Sequence, residues 1–157
     1  MTVPYMSVDE LNSQMGSFQI LDAREKEEYL ISHLPGAVHV GYNKFKVRHL
    51  TDLDKTQPVV VYCSIGYRSE KVGEKLQKAG FNVVYNLYGS IFEWANRGYT
   101  LRDDLGQNTQ RVHGYNRYHT GNLSVDEYAG YLSFGLKLTE RVSAGINLQL
   151  FRTDLYD

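Results

Sequence analysis

The sequence has one cysteine, one tryptophan, three prolines and almost no net charge, formally −1 over 157 residues. A lone cysteine cannot close an internal disulfide, so nothing calls for an oxidising compartment and a cytoplasmic location is expected. The 17 Lys+Arg and 18 Asp+Glu are scattered along the chain, which leaves no basic face for nucleic acid and no polybasic membrane anchor. No apolar run approaches the ~20 residues of a membrane-spanning helix. Met1-Thr2-Val3-Pro4-Tyr5 has neither the basic nor the apolar region of a signal segment, so the folded domain is expected to begin at once. His33, His39, His49, His113 and His119 show no ligand spacing with one another or with the cysteine, and no metal site is expected.

What is present is ordinary globular material, 42% hydrophobic and 22% charged, enough for one α/β domain with an appendage. Ser7-Val8-Asp9-Glu10 has the capping-box pattern and predicts a short helix to about Met15. Phe18 to Asp22 reads as a strand, and Glu25 to Ile31 as a charged helix with Tyr29, Leu30 and Ile31 as its apolar face. Ala37 to Val40 reads as a second strand, leading through Tyr42–Val47 into another helix-like piece. After the cysteine, Val72, Leu76 and Ala79 fall at helical spacing. Gly80 is placed to end that helix left-handed, with Leu76 and Phe81 touching across the cap. Asn82–Asn86 follows as a strand, then a helix from Gly89 to Arg97 with Ile91, Phe92 and Trp94 in the core. Alternating strands and helices imply a central parallel sheet with helices on both faces, whose ligands gather at the carboxyl ends of the strands.

Chemistry concentrates at Val59-Val60-Val61-Tyr62-Cys63-Ser64-Ile65-Gly66-Tyr67-Arg68-Ser69-Glu70. The cysteine closes an apolar β-branched run and directly precedes a helical stretch. A short loop there can wrap its N–H groups around the sulfur while the helix turns its positive end inward, which favours the thiolate. The alternative is a buried free cysteine at a strand end, common for this residue type.

Beyond the α/β part the character changes. Residues 102–121 form a polar strap or linker. In 122–157, Leu132, Phe134, Leu136 and Leu138 alternate with polar residues, and after Thr139-Glu140-Arg141 so do Val142, Ala144, Ile146, Leu148 and Leu150. The pattern predicts a β-hairpin with one apolar face. That face is expected to pack on the first domain or to form a homodimer, not to span a membrane.

Several segments together resemble the rhodanese-like (sulfurtransferase) family: Ile20-Leu21-Asp22-Ala23-Arg24-Glu25 with Glu28-Tyr29, Ser32-His33-Leu34-Pro35-Gly36-Ala37, Cys63 to Ser69, and Leu87-Tyr88-Gly89-Ser90 through Trp94 to Gly98-Tyr99. Ser32 and Ser90 stand where the family usually has glycine, and Ser90 is expected to touch no chemistry. The resemblance covers about Ser7 to Leu101, so residues 1–101 are read as the sulfurtransferase domain. It implies transfer of a sulfane sulfur, from a small donor such as thiosulfate, through a Cys63 persulfide to a thiol or cyanide, with no cofactor beyond that intermediate. Cys63 and Arg68 would be catalytic, Ser64, Ile65, Gly66, Tyr67 and Ser69 would bind substrate, and Asp22 and Arg24 would support the site.

Each role has a plainer alternative. Arg68 either holds an anionic donor or anchors the loop to a carboxylate. Tyr67 lines the mouth or is simply an exposed aromatic. Asp22, Arg24 and Glu28 read as buried ion pairs bracing the sheet, and His33 as a satisfied histidine near a turn. Four residues separate Cys63 from Arg68, whereas phosphatases of this fold are expected to have five, so the smaller ring favours sulfur over phosphoryl transfer. The other reading of the whole chain is a sulfur carrier or binding module that is loaded by, and delivers to, a partner protein.

Overall fold

A computed structural model describes residues 2–113. The alternating stretch expected to form a hairpin at 122–157 lies outside the described residues.

Within them, five short strands pair in parallel: β1 (Tyr5–Met6), β2 (Gln19–Asp22), β3 (Val38–His39), β4 (Val59–Tyr62) and β5 (Val84–Leu87), in the order β1-β5-β4-β2-β3. β4, whose four residues are all buried, lies mid-sheet with both edges paired, as a continuous β-branched run requires. Its side chains alternate between two cores. Val60 and Tyr62 join Ile20, Leu87, Ile91 and Trp94 on one face, while Val59, Val61 and Cys63 join Leu21, Val72, Leu76 and Phe81 on the other. The helices are α1 (Val8–Ser13), α2 (Lys26–Ile31), α3 (Tyr67–Lys78) and α4 (Ser90–Asn96). The parallel α/β architecture expected from the alternating pattern is the one found.

Local signals explain most boundaries. The Ser7 side chain accepts a hydrogen bond from Glu10 N–H at 3.1 Å and so starts α1. Gly80 takes φ +87° after α3; Phe81 N–H reaches Leu76 C=O at 3.2 Å and Gly80 N–H reaches Gln77 C=O at 3.1 Å, the two bonds of a Schellman cap. Leu76 and Phe81 are both buried, each such side chain contributing about 1.5–3 kcal/mol of apolar burial.

Two expectations are corrected, and one strand went unread. Tyr42–Val47 is not helical: only a 3-10 turn at Val47–His49 forms, and Tyr42, Phe45 and Val47 supply apolar contacts to the second core from an irregular segment. α2 does not fully bury the apolar face read for it, because Leu30 is exposed and Tyr29 and Ile31 are only half-buried, while Glu28 is buried in line with its ion-pair reading. β1 went unread because two residues carry no periodicity; it is fixed by bonds to β5, Asn86 N–H to Pro4 C=O at 2.9 Å and Tyr88 N–H to Met6 C=O at 2.8 Å.

The described part of the segment read as a polar strap, as far as residue 113, folds back as a small antiparallel pair, β6 (Leu101–Arg102) with β7 (Asn108–Thr109), and Val112 is fully buried in the first core. This pair is distinct from the one expected further along the chain. The chain leaves β2 toward β3 and leaves β4 toward β5, in opposite directions across the sheet. The crevice between the carboxyl ends of β2 and β4 is therefore a topological switch point.

Candidate active site

Sheet register brings Asp22 beside Tyr62 and Val61 beside Asn86, so the ends of β2, β4 and β5 converge around Cys63. The loop after Cys63 turns through Gly66 at φ +110°, a left-handed conformation suited to glycine, which then caps α3. The turn aims the Gly66 N–H at Cys63 Sγ, 3.1 Å away. The Ser69 hydroxyl lies 3.5 Å from the sulfur. Burial pushes the thiol up, but the Ser69 hydroxyl, the amides of Ser69 and Gly66 and the Arg68 charge outweigh it and hold Cys63 below its ordinary value. The sulfur thus sits at the positive end of a helix in a ring of donors, equipped to carry negative charge.

The loop is cross-braced. Ser64 is buried, whereas Ile65 and Tyr67 are 61% and 60% exposed and form the rim. Arg68 is bound to Glu28 by a two-pronged contact, Nη1 to Oε2 at 2.6 Å and Nη2 to Oε1 at 2.8 Å, and Nη2 also donates to Ser64 Oγ at 2.8 Å. Arg68 thus anchors the loop to a carboxylate, one of the two roles considered for it. Glu28 also accepts from the Glu25 N–H at 2.9 Å and from Ser64 Oγ at 3.2 Å. Burial would raise its carboxyl, yet the Arg68 contact, the Glu25 amide and Arg24 lower it overall. These partners explain why a glutamate occupies the buried face of α2.

Beneath the loop, Asp22 and Arg24 are fully buried and paired, Arg24 Nη2 to Asp22 Oδ2 at 2.6 Å and Nε to Oδ1 at 3.0 Å. Arg24 Nη2 also donates to Ser32 C=O, and the Tyr62 hydroxyl donates to Asp22 Oδ2 at 2.6 Å. Desolvation and the neighbouring Asp22 carboxylate hold the Tyr62 phenol well above its ordinary value, so it is a donor and not a base. His33 stacks on Tyr29 at 4.0 Å, its Nδ1 3.1 Å from Tyr29 C=O, which accounts for it structurally.

Two residues of the site went unread. Ser90, expected to touch no chemistry, adopts φ +54°, and its Oγ accepts from the Cys63 N–H at 3.1 Å while donating to Leu87 C=O at 3.2 Å. The backbone of the cysteine is thereby held by α4, whose Ile91 N–H also donates to Cys63 C=O at 3.2 Å. Asn86, fully buried on β5, bonds to Ser69, Gly66 and Glu70. The available signal was a polar amide inside an apolar strand, which demands partners whatever its role.

The rhodanese-like domain model matches residues 7–97, and the chain belongs to that family. The putative sulfur carrier protein YrkF of Bacillus subtilis is 29% identical over 99 residues, covering 61% of this chain and 53% of that protein. The chain thus spans about half that relative's length. The thiosulfate sulfurtransferase GlpE of Coxiella burnetii is 35% identical over 75 residues, covering 48% of this chain and 69% of that one. Among solved structures, the BH2092 protein of Bacillus halodurans shares the fold with a TM-score of 0.60 at 23% identity, covering 66% of this chain and 79% of that one. A thiosulfate sulfurtransferase of Pseudomonas aeruginosa shares it with a TM-score of 0.57 at 24% identity, covering 85% of this chain and 25% of the other.

Proposed function

We propose that this member of the rhodanese-like family is a sulfurtransferase that works through a persulfide on Cys63, with thiosulfate as a donor. The observation that carries the reading is the Cys63 sulfur at the start of α3, 3.1 Å from the Gly66 N–H and held below its ordinary pKa. A soft thiolate with donors already in place needs no separate base to attack sulfur. In the first half-reaction Cys63 Sγ attacks the outer sulfur of thiosulfate. The new S–S bond forms as the old one breaks, and sulfite leaves with the bonding pair. The persulfide anion remaining on Cys63 is stabilised by the amides of Gly66 and Ser69 and by the field of the helix end. In the second half-reaction an acceptor thiolate or cyanide attacks the outer sulfur, and the Cys63 thiolate departs.

A second reading, delivery between proteins, draws support from the exposed apolar side chains of Ile65 and Tyr67 on the loop of Cys63, a residue itself only 1% exposed. A partner protein would then bring the donor or acceptor sulfur to the loop.

Mass spectrometry of the full chain after thiosulfate treatment tests the first reading. Cys63 is expected to gain one sulfur, about 32 Da, and to lose it to cyanide or a thiol. The Cys63→Ser chain should show no gain. An unmodified wild type would discard thiosulfate as donor, and loading by a cysteine desulfurase alone would favour the carrier reading.

A further inference from the structure

Ser69 Oγ faces two acceptors with one proton. It lies 2.7 Å from Asn86 Oδ1 and 3.5 Å from Cys63 Sγ, and a hydroxyl can donate to only one of them at a time. The Asn86 amide cannot turn over to relieve the competition. Its Nδ2 donates to Gly66 C=O at 2.9 Å and to Glu70 Oε2 at 3.1 Å, and a flipped amide would set a carbonyl oxygen against a carbonyl and a carboxylate. Glu70 is itself fixed, because its Oε1 accepts from the N–H groups of Thr2 at 2.7 Å and Val3 at 3.2 Å. The acceptor face of Asn86 is therefore locked toward Ser69 from the far side of α3.

We propose that Asn86 is a positioning residue that competes with the Cys63 sulfur for the single hydroxyl proton of Ser69. While Cys63 is a thiol, its S–H can donate to Ser69 Oγ and the hydroxyl to Asn86 Oδ1, an ordered three-member chain. When the sulfur ionises, or carries a persulfide charge, the hydroxyl must rotate toward it and leave a buried Oδ1 without its donor. Asn86 thus opposes the charged state that the amides of Gly66 and Ser69 favour, so the thiolate is stabilised only as far as Ser69 gives up its proton. Of the charged groups on the elements packed about the loop, Arg68 of α3 acts on the sulfur directly, while Glu28 of α2 is paired with Arg68, Glu70 of α3 with Asn86, and Asp22 with Arg24 at the end of β2; β5 contributes neutral Asn86, and α4 holds the Cys63 backbone through Ser90 Oγ and the Ile91 N–H.

The proposal rests on Cys63 as the reactive group, but its test uses alkylation and does not require sulfur transfer. With one cysteine in the chain, iodoacetamide labelling against pH reports Cys63 alone. Asn86→Leu and Asn86→Ala are expected to lower the midpoint by about 0.5–1 pH unit, three- to tenfold more thiolate below the midpoint, because the freed hydroxyl turns to the sulfur. In the Ser69→Ala background the same substitutions should leave the midpoint unchanged. An equal shift with and without Ser69, or an upward shift in the Ser69 chain, overturns the proposal. The wild type provides a measurement that needs no Asn86 variant: the Asn86 side-chain carbon resonance should move with the Cys63 titration and remain still in Ser69→Ala. A resonance that moves equally in both chains refutes the competition, whatever the outcome of sulfur loading.

Discussion

Arg68 and Glu28 meet fork to fork, two parallel bonds of 2.6 and 2.8 Å between residues 40 apart in sequence. The pair ties the first turn of α3 to α2 and so fixes the loop that carries Cys63. Charge-assisted bonds of this geometry are strong when both partners are present, and removing either one leaves a buried charge uncompensated.

Glu28→Ala and Arg68→Ala are each expected to lower stability by about 3–5 kcal/mol in urea unfolding. The double variant should lose clearly less than the sum. Strict additivity would mean that the fork does not act as a coupled unit.

The same pair sets an acid limb. The Glu28 carboxyl is depressed in the folded protein, so the stability it contributes is present above its ordinary unfolded value, near about pH 4.5, and is lost as pH falls through the lower folded value. Thermal unfolding between about pH 6 and 3 should show this loss, flattened in Glu28→Gln, which cannot titrate. Parallel curves for the two proteins would assign the acid limb to other carboxylates.

Four residues separate Cys63 from Arg68, one fewer than expected for a phosphate-binding ring on this fold, and the guanidinium at the loop's end is engaged by Glu28. Hydrolysis of an aryl phosphate by the wild type is therefore expected to equal that of Cys63→Ser. Turnover that depends on Cys63 would contradict the argument from ring size.

Gly80 offers a clean test of local backbone energetics. A Cβ there would meet nothing within 4 Å, so the penalty of Gly80→Ala comes from φ +87° alone. A loss of about 1 kcal/mol is expected, with Cys63 alkylation unchanged. A larger loss would point to the Leu76–Phe81 contact being disturbed as well.

The distribution of these effects follows how legible each feature was. α3 and its end could be read because Gly80, Leu76 and Phe81 act within one turn of each other, where spacing determines contact. β4 could be read because a buried strand writes itself as an unbroken β-branched run. The helical reading of Tyr42–Val47 failed for the opposite reason, since apolar residues in an irregular segment imitate helical spacing when the core they serve is supplied from elsewhere. Leu30 is exposed where an apolar face was read, because the buried face of a two-turn helix is set by what lies opposite, here Arg68 against Glu28, which is buried in an ion pair as read.

For the candidate site the division is similar. The sequence by itself determined that Cys63 ends a core strand and opens a helix across a glycine turn, since strand, turn and helix are contiguous and each follows from local preferences. The tertiary structure alone decided which side chains answer the sulfur and its loop. Glu28 takes Arg68, Ser90 takes the Cys63 N–H, and Asn86 takes the Ser69 hydroxyl, all from elements 17 to 40 residues away. Those pairings depend on parallel register and on helix packing, which bring distant residues within hydrogen-bond distance and leave no trace in local spacing.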